Sequence, residues 1–201
     1  MLIRFLFFAL WLAAAPLQAQ APVILVLGDS LAAGYGLPQG RGWVDLLQQR
    51  LTEEGLDHRV VNASISGETT LGGRNRIAAT LERHRPDIVI LELGANDGLR
   101  GQPLPALRDN LTAMVRASRR SGARVLLIGM RIPPNYGQDY TRKFHAVFTD
   151  VARAERVPLV PFLLEGFADE RDLFQQDGIH PNEQAQPRIA AMVWKALRPL
   201  L

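Results

Sequence analysis

The chain has 201 residues and carries 23 Lys and Arg against 20 Asp and Glu, for a formal net charge of +3. That length suits one domain with a substantial core, and the interspersed charges form no basic stripe threaded with aromatics, which leaves nucleic-acid binding without support. There is no cysteine, so disulfides and lipid attachment through an N-terminal cysteine are excluded, and the fold must stand on its core.

In chain order, Arg4 is the only charge among residues 1–19, and residues 5–15 (FLFFALWLAAA) run without a charge or a helix breaker. Eleven apolar residues are too few to span a bilayer, which needs about 20. Ala15, Ala19 and Ala21 follow as candidate cleavage sites. This layout predicts a secretory signal peptide over 1–19, a single domain over 20–201, and a periplasmic or secreted protein with no stable membrane span in its mature form. An uncleaved anchor is the alternative.

Strand patterns then occur at 23–28, 59–63, 87–94, 124–130 and 158–162. Helical stripes fall between and after them: Val44, Leu47 and Leu51; Ile77 and Leu81; Leu107, Leu111, Met114 and Val115; Phe144, Val147, Phe148 and Val151; Ile189, Val193 and Leu197. Five short apolar strands alternating with five helices predict an α/β fold, a flavodoxin-like doubly wound sheet of five parallel strands in the order 2-1-3-4-5 with helices on both faces. Ligands on such sheets bind beyond the carboxyl ends of the strands, at the switch point. The residues to inspect are therefore those that follow each strand.

Gly28-Asp29-Ser30-Leu31 follows the first strand, where glycine lets the chain turn and leaves the serine hydroxyl at the sheet edge. A serine hydroxyl needs a base within hydrogen-bond reach. His58 lies on the opposite edge, and His84 and His145 lie on helices. His180, in Asp177-Gly178-Ile179-His180-Pro181 after the last strand, has both the right edge and a carboxylate three residues away. Asp177 is the expected orienter of that imidazole. Ser30, Gly67 and Asn96 are the expected oxyanion donors, each at the end of a strand. Taken singly, Gly-Asp-Ser, Asn-Asp-Gly and Asp-Gly-Ile-His are ordinary turn sequences, and the inference rests on their joint placement. A metal reading of Asp29, Asp97, Asp177 and His180 is weak because no second histidine sits at ligand spacing. The first turn lacks the glycine pattern of a phosphate site.

Four ordered blocks carry a family resemblance: Gly28-Asp29-Ser30-Leu31, extended through Ala33-Gly34-Tyr35-Gly36; residues 62–70 (NASISGETT); Gly94-Ala95-Asn96-Asp97-Gly98; and Asp177-Gly178-Ile179-His180-Pro181-Asn182. The chain resembles the GDSL or SGNH hydrolases, and within them the exported thioesterase I, lysophospholipase and arylesterase group. The resemblance spans essentially the whole mature chain. It implies Ser30 as nucleophile, Gly67 and Asn96 as oxyanion donors, His180 as base and Asp177 as its orienter, with no cofactor and no metal. It also makes Pro133-Pro134-Asn135-Tyr136-Gly137 a substrate-binding loop. One departure is Ala32, where the close relatives usually carry a second serine, and tuning of activity is the expected effect.

The expected function is an exported serine hydrolase of acyl esters and thioesters, acting through an acyl-Ser30 intermediate on a small-molecule acyl ester, thioester or lysophospholipid, as a monomer. A short-chain (acetyl) carbohydrate esterase and a non-catalytic periplasmic lipid carrier are the alternatives. Leu71, Leu99, Leu104, Pro134, Tyr136 and Ile179 are candidate acyl-chain contacts, with capping of the core as their other reading. Gly98 and Gly101 bracket Leu99-Arg100 in the layout of a mobile flap, with a plain two-glycine loop as the other reading.

Overall fold

The six residues of β1 (Val23–Gly28) are all buried, as a strand sandwiched between helices requires. The structure is a computed structural model that describes residues 21–201, so the expected signal peptide lies outside the described residues. The remaining strands are β2 (Arg59–Asn62), β3 (Ile88–Glu92), β4 (Arg124–Ile128) and β5 (Leu159–Val160). They form one parallel sheet in the order β2-β1-β3-β4-β5, the order expected from the alternation of strands and helices. β1 and β3 are in register, with Leu27 opposite Leu91 and Gly28 opposite Glu92.

The last three strands stop earlier than their apolar runs. Gly94 turns the chain out of β3 at φ 126°, in the region that favours glycine. At Gly129, just past β4, a Cβ would stand 2.4 Å from the carbonyl oxygen of Pro161. The apolar residues beyond these points leave the sheet and become available to a cavity.

Among the described residues seven α-helices accompany the strands: α1 (Ser30–Ala33), α2 (Trp43–Glu53), α3 (Thr70–His84), α4 (Ala95–Leu99), α5 (Leu104–Arg120), α6 (Gln138–Glu155) and α7 (Gln186–Leu197). α2 packs on α7 against one face, while α3, α5 and α6 pack in sequence on the other. The stripe of α5 is fully used, since Leu107, Leu111, Met114 and Val115 are all buried. α1 and α4 are single turns too short to show a period in sequence. Both follow strands at the switch point, and they carry Ser30 and Asn96. Among the described residues no helix is long and apolar enough to cross a membrane.

Candidate active site

Ser30 owes its position to its two predecessors. A Cβ on Gly28 would lie 2.6 Å from Glu92 Oε2 and 2.7 Å from the Ala32 Cβ, so only glycine fits where β1 meets α1. Asp29 then caps α1, its Oδ1 accepting the Leu31 N–H at 3.0 Å. Trp43, fully buried, donates its indole N–H to the Leu31 carbonyl at 3.0 Å. This holds the turn from the far side. Ala32 is buried against Gly28 and outside the cavity described below.

The loop after β5 brings His180 back to this turn. His180 Nε2 lies 2.8 Å from Ser30 Oγ, and Nδ1 lies 2.6 Å from Asp177 Oδ2. The other oxygen of Asp177 accepts the N–H groups of Ile179 and His180 at 2.9 and 3.0 Å. Partial burial raises the Asp177 carboxyl, but these hydrogen bonds and the His180 ring outweigh it and hold the group at about 2. Asp177 therefore stays ionised and fixes the imidazole with Nδ1 protonated, leaving Nε2 to accept from the serine. Gln175 ties the two segments together: its N–H donates to the His180 carbonyl at 2.8 Å, and its Nε2 donates to the carbonyls of Tyr35 at 2.8 Å and Pro181 at 3.3 Å. The Tyr35 ring rests on the imidazole with centroids 4.6 Å apart.

Asn96 and Gly67 complete the cluster. Asn96 Nδ2 donates to Asp29 Oδ2 and to the Glu68 carbonyl, both at 3.1 Å. Gly67 adopts φ 78°, and its carbonyl accepts from Arg100 at 3.0 Å. Among the described residues no acceptor takes the N–H of Ser30 or of Gly67. Ser30, Gly67 and Asn96 all line the cavity described below.

Beneath them lie two carboxyl groups. Glu92 is fully buried at the end of β3, where its Oε2 accepts the Asp29 N–H at 3.2 Å and its Oε1 has no partner. Burial, followed by the charge of Asp29, pushes Glu92 well above the usual carboxylate range. Burial also raises Asp29 to about 6, against the lowering effect of the Leu31 N–H and the Asn96 amide. Asp97, by contrast, is structural: it accepts the N–H of Thr70 at 2.8 Å and the Thr70 hydroxyl, locking α4 to the start of α3. Among the described residues no group of three or more His, Asp or Glu is arranged to hold a metal ion.

A cavity of about 560 Å³ opens from Ser30. Leu99, Pro134 and Ile179 line it as anticipated, but Leu71, Leu104 and Tyr136 do not. Leu71 projects outward from α3 at 56% exposure, and Leu104 packs partly buried against the core. Tyr136 donates its hydroxyl to the Leu99 carbonyl at 3.1 Å. The apolar wall is made largely by Met130, Ile132, Phe162, Leu164 and Phe174, of which Met130 and Phe162 end strand patterns of the sequence. They line the cavity because β4 and β5 end early. The flap layout also needs correction. Gly98 is a buried residue of α4 whose Cβ would meet the Phe144 ring at 2.6 Å, and Tyr136 and Tyr140 hydrogen-bond the carbonyls of Leu99 and Gln102. Gly98 serves close packing rather than hinging.

Residues 26–187 match the model of the GDSL-like Lipase/Acylhydrolase family. The chain is 50% identical over 184 residues to Esterase TesA of Pseudomonas aeruginosa, covering 92% of each chain. It is 40% identical over 183 residues to Thioesterase 1/protease 1/lysophospholipase L1 of Escherichia coli, covering 91% of this chain and 86% of the relative. Among solved structures, the crystal structure of TesA superposes with a TM-score of 0.87 at 50% identity, covering 89% of this chain and 99% of that one.

Proposed function

The chain belongs to the GDSL-like Lipase/Acylhydrolase family, and from that premise we propose that it is a serine hydrolase of carboxylic esters and thioesters working through an acyl-Ser30 intermediate. The observation that carries this reading is the unbroken line Asp177–His180–Ser30, with hydrogen bonds of 2.6 and 2.8 Å. In the proposed mechanism His180 takes the Ser30 proton as Oγ attacks the acyl carbon. The oxyanion forms against the N–H groups of Ser30 and Gly67 and the amide of Asn96. His180 then protonates the departing alcohol or thiol. A water activated by the same imidazole releases the acyl group.

The cavity supports an acyl chain rather than an acetyl group. Its wall of Met130, Ile132, Phe162, Leu164 and Phe174 offers a methylene chain many apolar contacts, and each buried methylene is worth about 0.8 kcal/mol. Esters and thioesters of fatty acyl chains, lysophospholipids among them, are the substrate class this wall fits. Every group of the relay comes from one chain, so a monomer suffices. Export is part of the same proposal, on the strength of the apolar run 5–15 and the small residues after it.

Mass mapping of a fluorophosphonate adduct, followed by an acyl series from acetyl to palmitoyl p-nitrophenyl esters, tests the proposal. The label is expected on Ser30, and kcat/KM is expected to rise from acetyl towards medium or long chains. Ser30→Ala should lower kcat by about 10⁴-fold or more. A label elsewhere, or activity within a few-fold of wild type in that variant, would overturn the role of Ser30. A sharp preference for acetyl would overturn the substrate class alone.

A further inference from the structure

The edge of the sheet opposite the active site gathers the amino ends of the strands and the carboxyl ends of the long helices, and it is lined with arginine. α3 ends in Arg83 and Arg85, α5 in Arg119 and Arg120, and α6 in Arg153 and Arg156, all exposed. Arg59 and Arg124 open β2 and β4 beside them. The edge is continuous, because the Arg59 N–H donates to the Pro22 carbonyl and the Arg124 N–H to the Asp87 carbonyl, both at 2.9 Å.

None of these eight makes an ion pair among the described residues, and residues 1–20 contain no Asp or Glu. Around the active-site edge the arginines have partners: Arg41 pairs with Glu183, Arg76 with Glu68, Arg131 with Glu165 and Arg188 with Glu170, while Arg100 and Arg171 donate to the carbonyls of Gly67, Gln175 and Gln176. The carboxylates near the basic edge are partly spoken for. Arg50 holds Glu54, Arg116 holds Glu155, and Asp87 accepts the Val23 N–H at 2.7 Å. Glu53, Asp57 and Glu82 remain.

Helix dipoles do not account for the excess. Each helix end brings roughly half a negative charge, which one basic residue answers, and α3, α5 and α6 bring two each. His84 reports the resulting field: partial burial, then the charges of Arg83 and Arg59, hold its imidazole below the usual range.

We propose that this arginine edge docks on anionic phospholipid head groups. Guanidinium forks match phosphate oxygens in bidentate pairs. The sequence adds a second pointer. Residues 5–15 form the apolar run on which the export proposal rests, so the exported domain works among membrane surfaces, where anionic head groups are the abundant polyanion. Docking this way turns the Ser30 crevice toward the aqueous side, open to substrate arriving from solution.

Flotation of the full chain with vesicles of phosphatidylglycerol and phosphatidylcholine, against vesicles of phosphatidylcholine alone, tests the proposal. The ratio of the two affinities cancels whatever residues 1–20 contribute. A wild-type ratio well above about 100 is expected, collapsing towards one as salt rises from 0.1 to 0.5 M. One arginine near an anionic surface is worth about fivefold in binding. The triple variant Arg83→Glu/Arg120→Glu/Arg156→Glu should thus lower the ratio by on the order of 100-fold, while hydrolysis of a short soluble ester stays within twofold. A wild-type ratio near one, a ratio unmoved by salt, or an unchanged ratio in the folded triple variant would each overturn the proposal. Binding of duplex DNA in place of anionic vesicles would overturn it in favour of a nucleic-acid surface. The wild-type salt series needs no variant, so poor folding of the triple mutant leaves the question decidable.

Discussion

Asn96 reaches its proposed role with both amide hydrogens already engaged, one by Asp29 and one by the Glu68 carbonyl. That bonding fixes the position of Nδ2 before substrate arrives, and one of its hydrogens must be shared with or turned to the acyl oxygen as charge develops there. Asn96→Ala should lower kcat by about 10²–10³-fold with KM nearly unchanged, as steady-state kinetics would show. A raised KM with kcat intact would count against the assignment. Glu92 sits on a different footing. Its folded-state pKa is raised, so its contribution to stability is full below the unfolded carboxyl value and is lost as pH rises through the folded one. Glu92→Gln keeps the acceptor for the Asp29 N–H and removes that loss. Melting scans should find the variant more stable than wild type at pH 8 and equal to it at pH 4. Equal differences at both values would show that Glu92 is not protonated on folding. In the sequence Ser30, Asp177 and His180 were readable because each follows a strand and the chemistry restricts the residue types. Glu92 was not, since a carboxyl inside an apolar run gives no sign of which neighbours it meets.

At the scale of elements, the one-turn helix α4 shows how a short segment is held without periodicity. Asp97 fastens it to α3, and Gly98 lets it press against Phe144 and Ile132. Gly98→Ala forces a methyl into that contact and should destabilise the protein by about 1–3 kcal/mol. Each kcal/mol is roughly 2–4 °C in Tm for a domain of this size. If Gly98 were instead a hinge, the variant would change turnover and leave Tm in place, so calorimetry and kinetics together separate the two. The long helices and the five strands were legible because their stripes and buried runs repeat over several residues. Phe162, Leu164 and Phe174 were not legible as cavity wall. Apolar residues beyond a strand look the same whether they close a core or line a hollow, and the early end of β4 and β5 decides which. Leu71 and Tyr136 show the converse, since residues of the right chemistry beyond the strand ends turn away to solvent or to a neighbouring carbonyl.

At the scale of the whole molecule, the alternation of strands and helices with right-handed crossovers makes the sheet parallel, which brings the active-site loops to one edge, and the observed order β2-β1-β3-β4-β5 sets which of them are neighbours. The finer closure of that site depends on Gln175, which spans the turn after Ser30 and the loop before His180. Gln175→Ala removes two hydrogen bonds worth together about 1–3 kcal/mol, and kcat should fall while the mass-mapped nucleophile remains Ser30. Gln175→Glu should be worse, because a carboxylate would face the carbonyls of Tyr35 and Pro181. Wild-type kcat in both variants would show that the clamp is dispensable.

The clamp and the relay also join the two ends of the chain, since Ser30 and His180 are 150 positions apart. Ribosomes extend a chain at about 5–20 residues per second, so His180 is polymerised roughly 8–30 s after Ser30. Throughout that interval the serine has no base and no clamp. A nascent chain is therefore chemically silent towards the cell's own esters, and activity begins only once synthesis has passed residue 180.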